Sequence, residues 1–275
     1  MTTAVGLWAA LVALGHPPWI PPPDAPPVAE SFPSVAAAVT TFLGDATGVV
    51  AFGELHQTAQ TAGLRSTLAR FTDEILPVIA PRTAHLIVET WVSNGNCGQA
   101  EKQVTAEVAR TTERPAATEN EIVRLLRRAK ELGVAPHVLD VGCAEYRLLV
   151  GAGGGLDYDR LLTITGEHLG RAIGQALALP RPPARPLVVV YGGALHNDLR
   201  PDPTLARYSF GPGIDALTNG AYREIDLYLP ELVRTLPALR GEPWYRVWRR
   251  ARPGPGAVMI RRSARSAIIL PTSPG

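Results

Sequence analysis

Three short, uninterrupted apolar runs do most to fix the class of fold: Gly48-Val-Val-Ala-Phe52, His85-Leu-Ile-Val88 and Leu187-Val-Val-Val190. A strand with one wet face alternates polar and apolar side chains, so a continuous run marks a strand covered on both faces. Between the runs, apolar residues recur three and four apart, the period of a helix with one buried stripe. Strands alternating with helices pair in parallel, because each helix carries the chain back across the sheet before the next strand begins. The expected fold is therefore α/β, a mainly parallel sheet flanked by helices.

The remaining elements follow from the same patterns. Val35, Ala38, Val39, Phe42 and Leu43 form a helical stripe that stops at Gly44. Leu64, Leu68, Phe71, Ile75 and Val78 predict a second helix that ends before Pro81. Thr118-Glu-Asn-Glu121 matches a capping box that would open a helix with Ile122, Leu125, Leu126, Ala129 and Leu132 inward, closed by Gly133. A long helix is expected over about 157–179, and further strands over 136–140 and 223–229. Segments 258–261 and 267–270 lie close enough in sequence to form an antiparallel hairpin at an edge.

Ahead of this domain, expected over 34–275, the chain reads differently. Seven prolines between Pro17 and Pro27 make residues 16–33 an extended linker. Residues 4–14 have the length of a signal-peptide core, with small residues at Ala13 and Gly15 for cleavage, but no basic residue precedes them. Export to the periplasm or beyond is the first expectation; an N-terminal helix packed on a cytoplasmic domain is the alternative. No apolar run approaches the roughly 20 residues of a membrane span.

Charge excludes little. Lys and Arg number 27 against 25 Asp and Glu, a net +2, which does not by itself imply nucleic acid. Seven arginines mix with Trp244, Tyr245 and Trp248 near the C-terminus, but on no clean period, so an edge element with solvated arginines is expected rather than a nucleic-acid surface. Gly151-Ala-Gly-Gly-Gly155 lacks both the last glycine of a dinucleotide loop and a Walker lysine, and reads as a flexible turn. Cys97 and Cys143, each following a strand, are either a disulfide or two buried thiols.

Placement along the strands says more. In an open parallel sheet all C-terminal strand ends lie on one edge, where ligands bind. After the first strand come Gly53-Glu54-Leu55-His56; the second is followed by Glu89; the third ends in Asp140; the fourth leads into Tyr191-Gly192-Gly193-Ala194-Leu195-His196-Asn197. Two histidines and three carboxylates thus converge from about 140 positions of sequence. Residues i and i+2 of an extended chain share a side, so Glu54 and His56 can face the same crevice.

These residues carry a resemblance. Gly53-Glu54-x-His56, the acid Glu89 and Gly192-Gly193-x-x-His196 resemble the signature of the superfamily uniting ChaN-type haem-binding lipoproteins, erythromycin esterases and Tiki/TraB metalloproteases, over about residues 45 to 230. The resemblance implies that Glu54, His56, Glu89 and His196 form the active or ligand-binding centre. Two departures bear on the branch: Asn197 follows His196 where some relatives have a second histidine, and 275 residues leave little room for the helical lids of the larger esterases.

Three functions fit. In a metal-dependent ester or amide hydrolase, His56, Glu89 and His196 hold Zn, Mn, Co or Fe, Glu54 acts as general base, and Asp140 or Asn197 orients ligands. In a metal-free hydrolase of the erythromycin-esterase kind, His56 or Glu54 takes a proton from water and His196 polarises the carbonyl. In a non-enzymatic carrier of haem or another small ligand, histidines bind iron with Tyr191 as a further axial candidate, beside Gly192, Gly193 and Asn197. No Gly-x-Ser-x-Gly elbow is present for a serine nucleophile. The expected partner is a small-molecule or peptide substrate.

Overall fold

The computed structural model describes residues 26–93, 97–113, 115, 117–151, 155–251, 255–262 and 265–272. Residues 4–14, expected as a signal peptide or helix, lie outside them, as do residues 152–154 of the glycine-rich turn. The ends of that turn are joined by a bridge between Val150 and Leu156.

The sheet has eight strands in the order β1-β7-β8-β6-β2-β5-β3-β4. They are β1 (Val28–Phe32), β2 (Val49–Glu54), β3 (Thr83–Ser93), β4 (Ala135–Val141), β5 (Leu187–Gly193), β6 (Tyr222–Tyr228), β7 (Ala257–Arg262) and β8 (Arg265–Ile269). From β8 to β4 all pairings are parallel, and β7 pairs antiparallel with β8 and β1. The fold is thus α/β as the apolar runs require. The expected hairpin is β7–β8, but it is not outermost: Val28–Phe32, the last residues of the expected linker, form β1 and cover its edge. Among the described residues no helix is long and apolar enough to cross a membrane.

Helices cover both faces, which is why β2 and β5 are buried at every position. On one face lies α1 (Val35–Leu43), where the Ser34 side chain accepts from the Ala37 N–H at 3.1 Å and Gly44, at φ 45°, ends the helix. Beside it runs a helix in three pieces: α2 (Thr67–Arg70), a π-helical turn over Phe71–Ile75, and α3 (Leu76–Ile79). The periodicity predicts one regular helix here; the π turn holds Phe71 and Ile75 on the buried side, and Leu64 falls in the preceding turn. Phe71 packs against Phe52, ring centres 5.3 Å apart, and against Tyr191 at 4.4 Å.

The next two helices are α4 (Gln99–Thr112) and α5 (Ala117–Glu131). The capping box expected at α5 does not form. Thr118 Oγ1 is buried without a partner, and Glu121 instead accepts from Ser66 Oγ at 2.6 Å, a tertiary bond to α2 that outcompetes the local one. Gly133 closes the helix region at φ 71°.

The other face carries α6 (Cys143–Leu148), the long α7 (Tyr158–Ala178), α8 (Ala194–Asn197) and α9 (Gly211–Leu217). Leu169 and Ile173 of α7 pack on Ala51, Val188 and Val190. Cys97 and Cys143 are joined as a disulfide, tying the segment after β3 to the start of α6. Three short helices, α10 (Pro230–Thr235), α11 (Pro237–Gly241) and α12 (Tyr245–Arg250), follow β6. Trp244 and Trp248 are buried in the core, Trp244 stacked on Tyr228 at 5.4 Å, so these rings are not displayed for stacking on bases.

Candidate functional site

Four of the five converging groups meet. Glu54 ends β2 and His56 follows two residues on; their side chains share a side, with Glu54 Oε1 2.8 Å from His56 Nδ1. The other oxygen, Oε2, accepts a short hydrogen bond from the Tyr191 hydroxyl of β5. Glu54 is therefore engaged at both oxygens, and its geometry is that of an orienting carboxylate rather than of a base open to water. A carboxylate accepting at Nδ1 fixes the ring and its tautomer, leaving Nε2 to face outward.

Glu89 reaches the same point from β3. Its Oε2 accepts from the Gly193 N–H at 2.5 Å, and its Oε1 lies 3.6 Å from His56 Nε2 and 3.9 Å from His196 Nε2. His196, on α8, points Nδ1 at the Tyr208 carbonyl at 2.8 Å. A carbonyl only accepts, so Nδ1 carries the proton and Nε2 is the atom aimed at Glu89. Side-chain exposure is 32% for His56, against 8% for Glu54, 11% for Glu89 and 4% for His196, so His56 is the member that solvent reaches best.

The glycines expected beside a cofactor are closely approached by side chains of the centre. A Cβ on Gly192 would stand 2.6 Å from Glu89 Oε2 and 2.9 Å from Glu89 Cβ, and one on Gly193 would stand 3.0 Å from His56 Nε2. Both make room for the site's own side chains. Tyr191, expected as a haem-ligand candidate, is buried, with its ring on Phe71 and its hydroxyl on Glu54. Asp140 stays apart: it is exposed on edge strand β4, in register with Val92. Among the described residues, no three His, Cys, Asp or Glu side chains stand close enough together, as placed, to hold a metal ion.

Asn197 borders the centre rather than joining it. Its Nδ2 donates to Asp226 Oδ1 at 3.3 Å. Asp226 lies over Gly53, where a Cβ would come 2.2 Å from its Oδ1 and 2.6 Å from Asn197 Nδ2. Tyr228 donates to Asp226 Oδ2 at 3.1 Å. Burial pushes Asp226 up to about 7; the nearby Asp198 carboxylate adds to this, against the hydrogen bond from Asn197 and the pull of Arg265. Glu224 is driven well above the usual carboxylate range, by burial first and then by Asp226 and Asp198. Arg265 from β8 faces both neighbours, 3.6 Å from Glu224 and 3.4 Å from Asp198.

These β6 carboxylates were missed in the sequence, although a signal exists. Glu224 and Asp226 are two apart in an expected strand, so both belong to one face of an interior β-strand, where paired acids are costly unless used. The Tyr208 carbonyl that anchors His196 is backbone, and no residue type marks it.

No protein-family model matches this chain, and no curated protein does. Two solved structures align with it. One is RRSP, a MARTX toxin effector domain from Vibrio vulnificus, at 15% identity and a TM-score of 0.33, over 58% of this chain and 30% of that one. The other is described as bacterial protein toxins, at 16% identity and a TM-score of 0.35, over 72% of this chain and 37% of that one. The chain thus spans well under half the length of either, and likeness at this level carries no functional argument.

Proposed function

We propose that this protein is a hydrolase of ester or amide bonds, with Glu54, His56, Glu89 and His196 as its centre, as members of the ChaN, erythromycin-esterase and Tiki/TraB superfamily would have it. The observation that supports this most directly is the carboxylate-held imidazole: Glu54 on His56 Nδ1 at 2.8 Å, with His56 Nε2 turned towards Glu89 and the partly exposed side.

In this reading His56 Nε2 takes a proton from water as the water oxygen bonds to the substrate's carbonyl carbon. Glu89, 3.6 Å away, stabilises the imidazolium that forms. The same proton then passes to the departing alkoxide or amine as the C–O or C–N bond breaks. His196, its ring fixed by Tyr208, turns Nε2 towards the same Glu89 oxygen, 3.9 Å away.

The test is turnover of 4-nitrophenyl acetate and acetyl-4-nitroanilide by purified protein, beside His56→Ala and Glu54→Gln. Loss of a general base costs about 10²–10⁴-fold, so His56→Ala should fall by at least that lower bound, and Glu54→Gln, which loses the carboxylate that orients the ring, should also lose turnover. Turnover equal to that of His56→Ala on every ester and amide tried would refute the reading. Elemental analysis and assays in EDTA decide whether His56, Glu89 and His196 also hold a divalent ion.

A further inference from the structure

Three side chains on one face of β6 clamp the backbone that leaves His196. Tyr222 donates a short hydrogen bond to the Asn197 carbonyl, Glu224 Oε2 accepts from the Leu199 N–H at 2.6 Å, and Asp226 Oδ1 accepts from the Asn197 side chain at 3.3 Å. Positions 222, 224 and 226 are spaced by two, so one strand face holds the backbone at Asn197 and Leu199 and the side chain of Asn197. From the other side, the His196 carbonyl accepts from the Phe210 N–H at 2.9 Å and from Ser209 Oγ at 3.1 Å. His196 is therefore located by what holds residues 197–199 and by the Tyr208 carbonyl on its ring.

We propose that Asp226 is a positioning residue that sets the placement of His196 through Asn197. The inference rests on His196 belonging to the centre described above. Asp226 occupies space that Gly53 leaves open on β2, one residue before Glu54, so it also fixes the distance between α8 and the strand that ends in Glu54 and leads into His56. Asn197 is 3% exposed, and its Oδ1 is buried without a partner. The amide thus has one bond on its Nδ2 and an unsatisfied acceptor behind it, an arrangement that responds to the state of Asp226.

That state changes near neutrality. Burial holds the Asp226 proton to about pH 7. Facing the group are Asp198 after α8, Glu224 and Tyr228 on β6 and Arg265 on β8; Glu242 after α11 and Arg262 on β7 complete the charged surroundings. An ionised Asp226 strengthens the bond from Asn197 Nδ2. A protonated one weakens it and offers a donor to an amide turned over, so that Oδ1 faces the carboxyl. The position of α8 is thereby linked to pH.

The experiment follows the imidazole of His196 by NMR from pH 5 to 9 in full-length protein, with Asp226→Asn and Asp226→Ala beside it. In the native protein the His196 ring resonances should show an inflection near pH 7 that follows Asp226. Asp226→Asn should keep the fold and abolish that inflection. Asp226→Ala should shift the His196 signals at all pH values and lower kcat towards 4-nitrophenyl acetate by roughly ten- to a hundredfold, the scale of an ångström's misplacement. His196 resonances in folded Asp226→Asn with the native pH profile would overturn the proposal. Because the NMR readout needs no substrate, failure of the hydrolase reading alone would leave it standing or falling on its own.

Discussion

Gly192→Ala separates a strand glycine from a site glycine. Alanine has ordinary strand backbone preferences, so the backbone itself accepts it; in a strand interior the change should even help by about 0.5–1 kcal/mol, since glycine loses the most freedom on folding. The Cβ, however, would stand 2.6 Å from Glu89 Oε2 and 2.9 Å from Glu89 Cβ, far inside contact distance. Glu89 lies one residue beyond Val88, the last β3 residue in register with β5, and the added Cβ takes the place of its side chain, which has to move away. With it goes the bond from the Gly193 N–H, 2.5 Å long and charge-assisted. Overpacking costs about 1–3 kcal/mol, and a hydrogen bond to a charged group about 1.5–3 kcal/mol. Against the strand gain, urea unfolding should show a net loss of about 2–5 kcal/mol. The Gly193 amide proton, shifted downfield by the carboxylate in the native protein, should move upfield, and turnover of 4-nitrophenyl acetate should fall with it. A folded Gly192→Ala protein with native stability and an unmoved Gly193 amide would refute the claim that this glycine exists to seat Glu89.

Asp226→Asn tests the electrostatic cost of the clamp. A carboxyl whose folded pKa is about 7 against 3.8 contributes stability that is complete below pH 3.8 and is lost as the pH rises through 7. Three units at about 1.4 kcal/mol each set a ceiling of roughly 4 kcal/mol, reduced by Asp226's partial contact with solvent to about 2 kcal/mol. Chemical denaturation should therefore show Asp226→Asn gaining on the native protein between pH 4 and 8 and matching its trend below; parallel curves over that range would contradict it. Reduction of Cys97–Cys143 removes a constraint on a 46-residue separation, worth about 4 kcal/mol in the chain-entropy model, read as a drop in unfolding free energy in reductant that a Cys97→Ser, Cys143→Ser protein does not show. Gly174→Ala, in the middle of α7 with open space around its Cβ, should stabilise by about 0.5–1 kcal/mol in the same assay and leave turnover alone.

The layout was legible because its determinants are local. Continuous apolar runs needed two covering layers, and the helical stripes that supply them could be read residue by residue; Leu125 and Ala129, expected inward on α5, are buried. What failed was decided between elements. The capping box at Thr118 gave way because Ser66, 55 residues from Glu121, offers that carboxylate a better partner. The edge position of β1 depends on β7, more than 200 residues later, which no local pattern near Val28 can announce.

The site divides in the same way. Glu54, His56, Glu89 and His196 could be placed together because strand ends are fixed by the parallel sheet, and Glu54 with His56 by the two-residue period of an extended chain. Asp140 also ends a strand, yet β4 is the outer strand beyond β3, and strand order is what the sequence does not display. The same ignorance hid Asp226. Only with β6 beside β2 does Asp226 lie in register with Gly53 and become a neighbour of the centre. The glycine pair is thus read correctly as a close approach: Gly192 and Gly193 are approached by Glu89 and His56, side chains of the centre itself. Sheet order therefore decides which strand-end residues become a site, because only strands adjacent in the order, such as β2 and β6, bring their residues into register.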